Sequence, residues 1–200
     1  MRPSMAADDL LDAPLREVLE TLAGEGPAPG GGSAAAIVVA MAAGLVAMVA
    51  RASKEHWPEA GGVIGQADAF RARVAPLAQA DAEAYAAALA ALRGRDKLEA
   101  RYRDQKLSAA LERAAEIPLQ IAEAGSDLAS LAALLVENGN PEVRADAASA
   151  AVLAEAGTRV AAKLVEINLA STEDDPRVRH ARLLAEVAAE SAQRALKAAQ

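Results

Sequence analysis

Residues 33–50 read Ser-Ala-Ala-Ala-Ile-Val-Val-Ala-Met-Ala-Ala-Gly-Leu-Val-Ala-Met-Val-Ala, a run without one charged side chain. It is just long enough to cross a bilayer. Alanine dominates it, however, and strongly lipophilic side chains are few, so its drive into lipid is weak. Alanine is the best helix former, because it loses no side-chain entropy and buries no polar group. The other helix patterns in the chain are amphipathic, as in a water-soluble bundle. The run therefore predicts a central helix covered on all sides.

Working outward, the punctuation is clear. Residues 24–32, Gly-Glu-Gly-Pro-Ala-Pro-Gly-Gly-Gly, are too rich in Gly and Pro to be helical. Before them, residues 9–23 form an amphipathic pattern with Leu11, Leu15, Val18 and Leu22 on one face. Ser33 stands where an N-cap is expected. Downstream, a break at 58–62 precedes a long helix ending near Arg93-Gly94, which Pro76 should kink or restart. A charged stretch, 95–106, leads into a helix with an internal Pro118 that ends at Asn138-Gly139. Pro141 opens the next helix, which runs to about Leu169. After Ser171-Thr172, an acidic first turn begins a last helix that reaches the C-terminus.

This pattern predicts an all-α, single-domain bundle of about six helices over residues 1–200, with no strand pattern and no repeat. Five neighbours do not easily cover the apolar second helix. A homodimer is therefore expected, with Ile37, Met41, Leu45 and Met48 buried in interface or core.

Composition narrows the chemistry. The net charge of −7 argues against nucleic acid, whose phosphates call for a basic surface. The absence of cysteine removes disulfides, thiolate zinc sites and cysteine nucleophiles. His56 and His180 lie far apart, and neither follows a carboxylate by three residues, so no helical metal-site pattern is present. No basic segment followed by an apolar run opens the chain, and a cytoplasmic protein without a membrane segment is expected.

Polar residues on apolar rows mark candidate chemistry. Phe70, Val74, Leu77, Asp81, Tyr85, Ala88 and Leu92 recur at steps of three and four, so Asp81 points with the core residues. An ionised carboxylate there costs several kcal/mol unless it is paired or its pKa rises. Two readings follow: a structural hydrogen bond to a helix end or buried lysine, or a site carboxylate. In the fifth expected helix, Val143, Ala147, Ala150, Ala154, Gly157, Ala161 and Leu164 lead to Asn168. The adjacent row begins at Asp146 and ends at Ile167. One acid and one amide thus flank an apolar face narrowed by small residues, although terminal-turn polar residues also simply reach solvent. Successive glycines at Gly30, Gly31 and Gly32 leave backbone N–H groups open to an anion at a helix start. No Gly-Lys-Ser/Thr follows, so this is not a Walker loop. His56 and Trp57, beside Pro58, read as a partly buried anchor pair.

Together these residues resemble a known family. Ala28-Pro29-Gly30-Gly31-Gly32-Ser33-Ala34-Ala35-Ala36 is similar to the Pro-Gly-Gly-Gly-Ser helix start of the formiminotransferase-cyclodeaminase C-terminal family. The similarity continues through Met48-Val49-Ala50, Asp81 with Tyr85, and Ala115-Glu116-Ile117-Pro118-Leu119. It extends to Gly139-Asn140-Pro141 with Asp146 and to Ile167-Asn168-Leu169, spanning roughly residues 11–195. Three departures accompany it. Family members usually have Asn at Leu164, Phe at Tyr85, and Leu-Pro-Lys where this chain has Leu92-Arg93-Gly94-Arg95.

The resemblance implies an all-α homodimer acting on a tetrahydrofolate derivative as substrate, with no tightly bound cofactor. It points first to a 5,10-methenyltetrahydrofolate cyclohydrolase. Asp81, and secondarily Asp146, would transfer protons. Ser33, Asn140 and Asn168 would orient water, pterin or adduct, while the Gly30, Gly31 and Gly32 amides with Lys54 would receive the glutamate tail. A formiminotetrahydrofolate cyclodeaminase would use similar groups. A non-catalytic helical dimer serving as a binding module is a third reading, which Leu164 would suit.

Overall fold

Helix boundaries fall where proline and glycine interrupt the apolar periodicity. The computed structural model describes residues 9–93, 100–169 and 175–200, and every regular element among them is helical. These are α1 (Leu15–Leu22), α2 (Gly31–Ala52), α3 (Ala60–Val74), α4 (Leu77–Arg93), α5 (Ala100–Asn138), α6 (Arg144–Asn168) and α7 (Pro176–Ala198). A 3₁₀ turn, Pro141–Val143, precedes α6.

Two of the boundaries that differ from the sequence expectation are set by proline. The first helix begins at Leu15, because Pro14 occupies its N-cap with extended backbone. The third expected helix is divided at Ala75-Pro76: proline lacks an N–H to continue the ladder, yet its fixed φ suits the first turn of α4. Pro118 behaves otherwise and is carried within a continuous α5.

The centre is built where α2, α5 and α6 pack on one another, with α3, α4 and α7 around them. Close approach is possible because two positions lack a Cβ. A methyl at Gly157 would meet the Val39 side chain and come within 3.3 Å of the Ala35 carbonyl oxygen. One at Gly125 would lie 3.2 Å from the Ala154 carbonyl oxygen and crowd the Thr158 hydroxyl. The core around them is mostly alanine and valine, with Ile121, Leu128 and Leu135 the largest fully buried side chains.

Helix α2 is long and apolar enough to cross a membrane, as is the 107–138 part of α5, but over half of each is buried inside the bundle. The expected all-round cover is incomplete in a single chain. Val39, Val46 and Val49 are fully buried on one side, whereas Met41 is 58% exposed and Met48 38% exposed on the other. Ile37 and Leu45 lie half-buried between them.

Candidate active site

The first turn of α2 and the last turn of α6 meet at one end of the bundle. Gly30, Gly31 and Gly32 form one wall of a cavity of about 260 Å³, and Leu164, Ile167 and Asn168 form another. Asp81 and Tyr85, one turn apart on α4, and Ala114 of α5 complete it, with Pro27 at the rim. Among the described residues, no lysine or arginine lines it.

Ser33 is not the cap of α2: Gly30 holds that position, and Ser33 sits buried within the first turn. Its hydroxyl donates to the Ala78 carbonyl at 2.8 Å and lies 3.4 Å from Asp81 Oδ2. The Ser33 N–H also faces the Asp81 carboxyl. A carboxylate on the neighbouring helix thus does the capping that no side chain of α2 provides. Ser33 has one hydroxyl proton, so an ionised Asp81 competes for it with the Ala78 carbonyl, while a protonated Asp81 can donate to the Ser33 oxygen.

Burial raises the Asp81 pKa above its ordinary value, and the Ser33 hydrogen bonds offset part of that rise. A half-buried acid with a raised pKa, in a cavity where no described residue brings a cationic side chain, can hold a proton or give it up near a bound cation. Gly32 makes this placement possible. A Cβ there would lie 2.5 Å from Asp81 Oδ2 and closer still to Oδ1 and Cγ.

Across the cavity, Asn168 Nδ2 donates to the Ala114 carbonyl. With that end of the amide committed, Oδ1 is the acceptor that Asn168, itself part of the cavity lining, can still offer. Two of the departures from the family pattern, Tyr85 and Leu164, also line this space. Gly94 and Arg95, from the third, lie outside the described residues.

The structure therefore brings together Gly30, Gly31, Gly32, Ser33, Asp81 and Asn168. It does not bring Lys54, Asn140 or Asp146 to them within one chain. Lys54 follows the C-cap of α2 and is exposed. The Asn140 N–H donates to Ser53 Oγ at 2.9 Å, its Nδ2 to the Ala52 carbonyl, and its Oδ1 accepts from the Glu142 N–H. Asp146 is in the first turn of α6. These three occupy the opposite end of the bundle, about 33 Å away along a helix of 22 residues. His56 is exposed, while Trp57 packs on the core.

Sequence reading passed over Ala114 and Ile167 as site residues. Ala114 carried one usable signal, a proline four residues downstream that removes its helical donor. Ile167, 58% exposed on the rim, carried none.

Comparison with known proteins adds a second line. A family model described as formiminotransferase-cyclodeaminase matches residues 14–189. The methenyltetrahydrofolate cyclohydrolase of Methylorubrum extorquens is 34% identical over 164 residues, 78% of this chain and 79% of that protein. The formimidoyltransferase-cyclodeaminase of Rattus norvegicus is 35% identical over 175 residues, 83% of this chain but 32% of that protein. The crystal structure of formiminotetrahydrofolate cyclodeaminase from Thermotoga maritima superposes with a TM-score of 0.81 at 27% identity. That match covers 94% of this chain and 96% of the other.

Proposed function

This chain belongs to the formiminotransferase-cyclodeaminase family, and from that premise we propose that it hydrolyses 5,10-methenyltetrahydrofolate to 10-formyltetrahydrofolate. The observation that carries the reading is Asp81, a half-buried acid in a small, otherwise mostly apolar cavity to which the described residues bring no cationic side chain. The substrate presents a planar amidinium cation, and the carboxyl group of Asp81 in such a cavity suits it.

Water adds to the bridging carbon and passes one proton to Asp81, giving a neutral tetrahedral adduct. Asp81 returns that proton to N5 as the C–N5 bond breaks, and the adduct hydroxyl loses its proton to solvent as the formyl C=O forms on N10. One cation and one water thus become 10-formyltetrahydrofolate and one released proton. Ser33 would orient water and adduct, Asn168 would orient the pterin, and the Gly30–Gly32 turn would carry the nearer part of the substrate.

We further propose a homodimer in which the open apolar face of α2 packs antiparallel on its copy. A two-fold axis that sets Met41 against Gly44 and Ile37 against Met48 also sets Gly31 against Lys54 of the partner subunit. Asn140 and Asp146 of the partner subunit approach the same cavity. In that arrangement Lys54 of the partner subunit receives the glutamate carboxylates, and Asp146 of the partner subunit is the second proton-transfer group. The reading places this substrate-consuming dimer in the cytoplasm, with no further cofactor.

The names of the Thermotoga and rat relatives favour a second reading, closure of formiminotetrahydrofolate with release of ammonia. Both are tested together. Purified protein is given methenyltetrahydrofolate while loss of its near-ultraviolet absorbance is followed, and formiminotetrahydrofolate while ammonia is measured. Hydrolysis well above the spontaneous rate supports the first reading. Ammonia release without hydrolysis replaces it with the second.

A further inference from the structure

Pro118 lies inside α5 and is fully buried, in an environment where proline is unfavourable. In a regular helix the N–H of residue 118 would donate to the carbonyl of Ala114, four residues back. Proline has no N–H, and its ring pushes that carbonyl out of line. The vacated carbonyl belongs to a residue that lines the cavity. Its donor comes instead from the last turn of α6, as Asn168 Nδ2 reaches across to it.

The consequence falls on the Asn168 amide. Its oxygen and nitrogen are nearly the same size but opposite in hydrogen-bonding sense, so without a partner either end could face the cavity. Binding Nδ2 to Ala114 leaves Oδ1 as the end of the amide that can face the cavity. We propose that Pro118 is a positioning residue for substrate binding: by vacating the Ala114 carbonyl it fixes the Asn168 amide with its acceptor inward. An inward acceptor selects a ligand with an N–H donor edge, such as the aminopyrimidinone ring of a reduced pterin. This inference rests on the reading of the cavity as the folate site.

Pro118→Ala restores the missing N–H and lets the Ala114 carbonyl return to its own helix. Because a helix-interior proline has been removed, the melting temperature should hold or rise. Meanwhile KM for methenyltetrahydrofolate should rise about tenfold, the equivalent of one hydrogen bond, with kcat nearly unchanged. Asn168→Ala should show the same loss, and the double variant no more than either alone. Higher stability with weaker substrate binding is a combination that a merely structural proline would not produce. An unchanged KM, or losses that add in the double variant, would overturn the proposal.

A measurement on the unliganded protein needs no activity. Side-chain amide NMR of Asn168 should show one downfield, exchange-protected Nδ2 proton, and Pro118→Ala should release it. Two freely exchanging protons in the wild type would refute the positioning role whatever the enzyme assay gives. A protected proton in a protein with no folate activity would instead keep the geometry and reject the function.

Discussion

Gly32→Ala is the substitution that most directly probes how Asp81 is held. The added Cβ would lie 2.5 Å from Asp81 Oδ2, with Oδ1 and Cγ nearer still. Non-bonded heavy atoms settle at about 3.5 Å or more, so the carboxyl group must retreat by about 1 Å or turn to another rotamer. Either movement takes it away from the Ser33 hydroxyl, already 3.4 Å distant, and from the water it would deprotonate. A displacement of about 1 Å at a reacting group costs roughly 100-fold in rate. Stability responds differently, because alanine is favoured over glycine in a helix by about 1 kcal/mol, which offsets the crowding of one short side chain. The expected result is a folded protein with nearly unchanged melting temperature and a kcat/KM for methenyltetrahydrofolate lowered about 100-fold. Wild-type kcat/KM in a folded Gly32→Ala protein would refute the assignment of Asp81 to proton transfer.

Asp81→Asn keeps an acceptor for the Ser33 N–H but cannot move a proton, so turnover should fall about 10²–10⁴-fold. Its stability effect has the opposite sign. The folded-state pKa of Asp81 is raised, so its contribution is fully present below the unfolded-state value and is lost as pH rises through the folded one. At neutral pH the variant should therefore melt no lower than wild type, with any advantage vanishing below about pH 4 in pH-dependent thermal scans. In wild-type rate profiles, the acidic limb should rise with a midpoint above that of an ordinary aspartate, and that limb should disappear in Asp81→Asn. Met41→Lys puts a charge on the exposed face of α2 and should yield monomers by light scattering; an unaltered dimer would place the interface elsewhere. Gly157→Ala forces a methyl against Val39 and the Ala35 carbonyl, and overpacking of about 1–3 kcal/mol should exceed the helix-propensity gain in urea melts.

The fold was legible in the sequence because helix periodicity, Gly-rich breaks and proline positions agreed at nearly every boundary. Pro76 shows where legibility stops. Its pattern fitted a kink and a restart equally, and the choice depended on how α3 and α4 met their neighbours. Asp81 stood out because an acid on an apolar row demands an explanation from pattern alone. That its hydrogen-bond donors would come from Ser33, buried in the first turn of α2, was not legible. Contacts between residues 48 positions apart have no local signature. Asn140 was recognisable as a turn residue before Pro141, yet its side chain serves the end of α2 rather than the cavity in the same chain.

A core made chiefly of methyl groups also has a calorimetric consequence. Each buried alanine withdraws little apolar surface from water, while close helix contacts at Gly125 and Gly157 shield much polar backbone. Apolar exposure raises the heat capacity on unfolding and polar exposure lowers it, so both features act in the same direction. The increment per residue should fall below the usual 12–15 cal/mol/K, roughly the value for cores of larger side chains. The stability curve is then broad, and this bundle loses little of its folding free energy as the temperature moves away from its optimum in either direction.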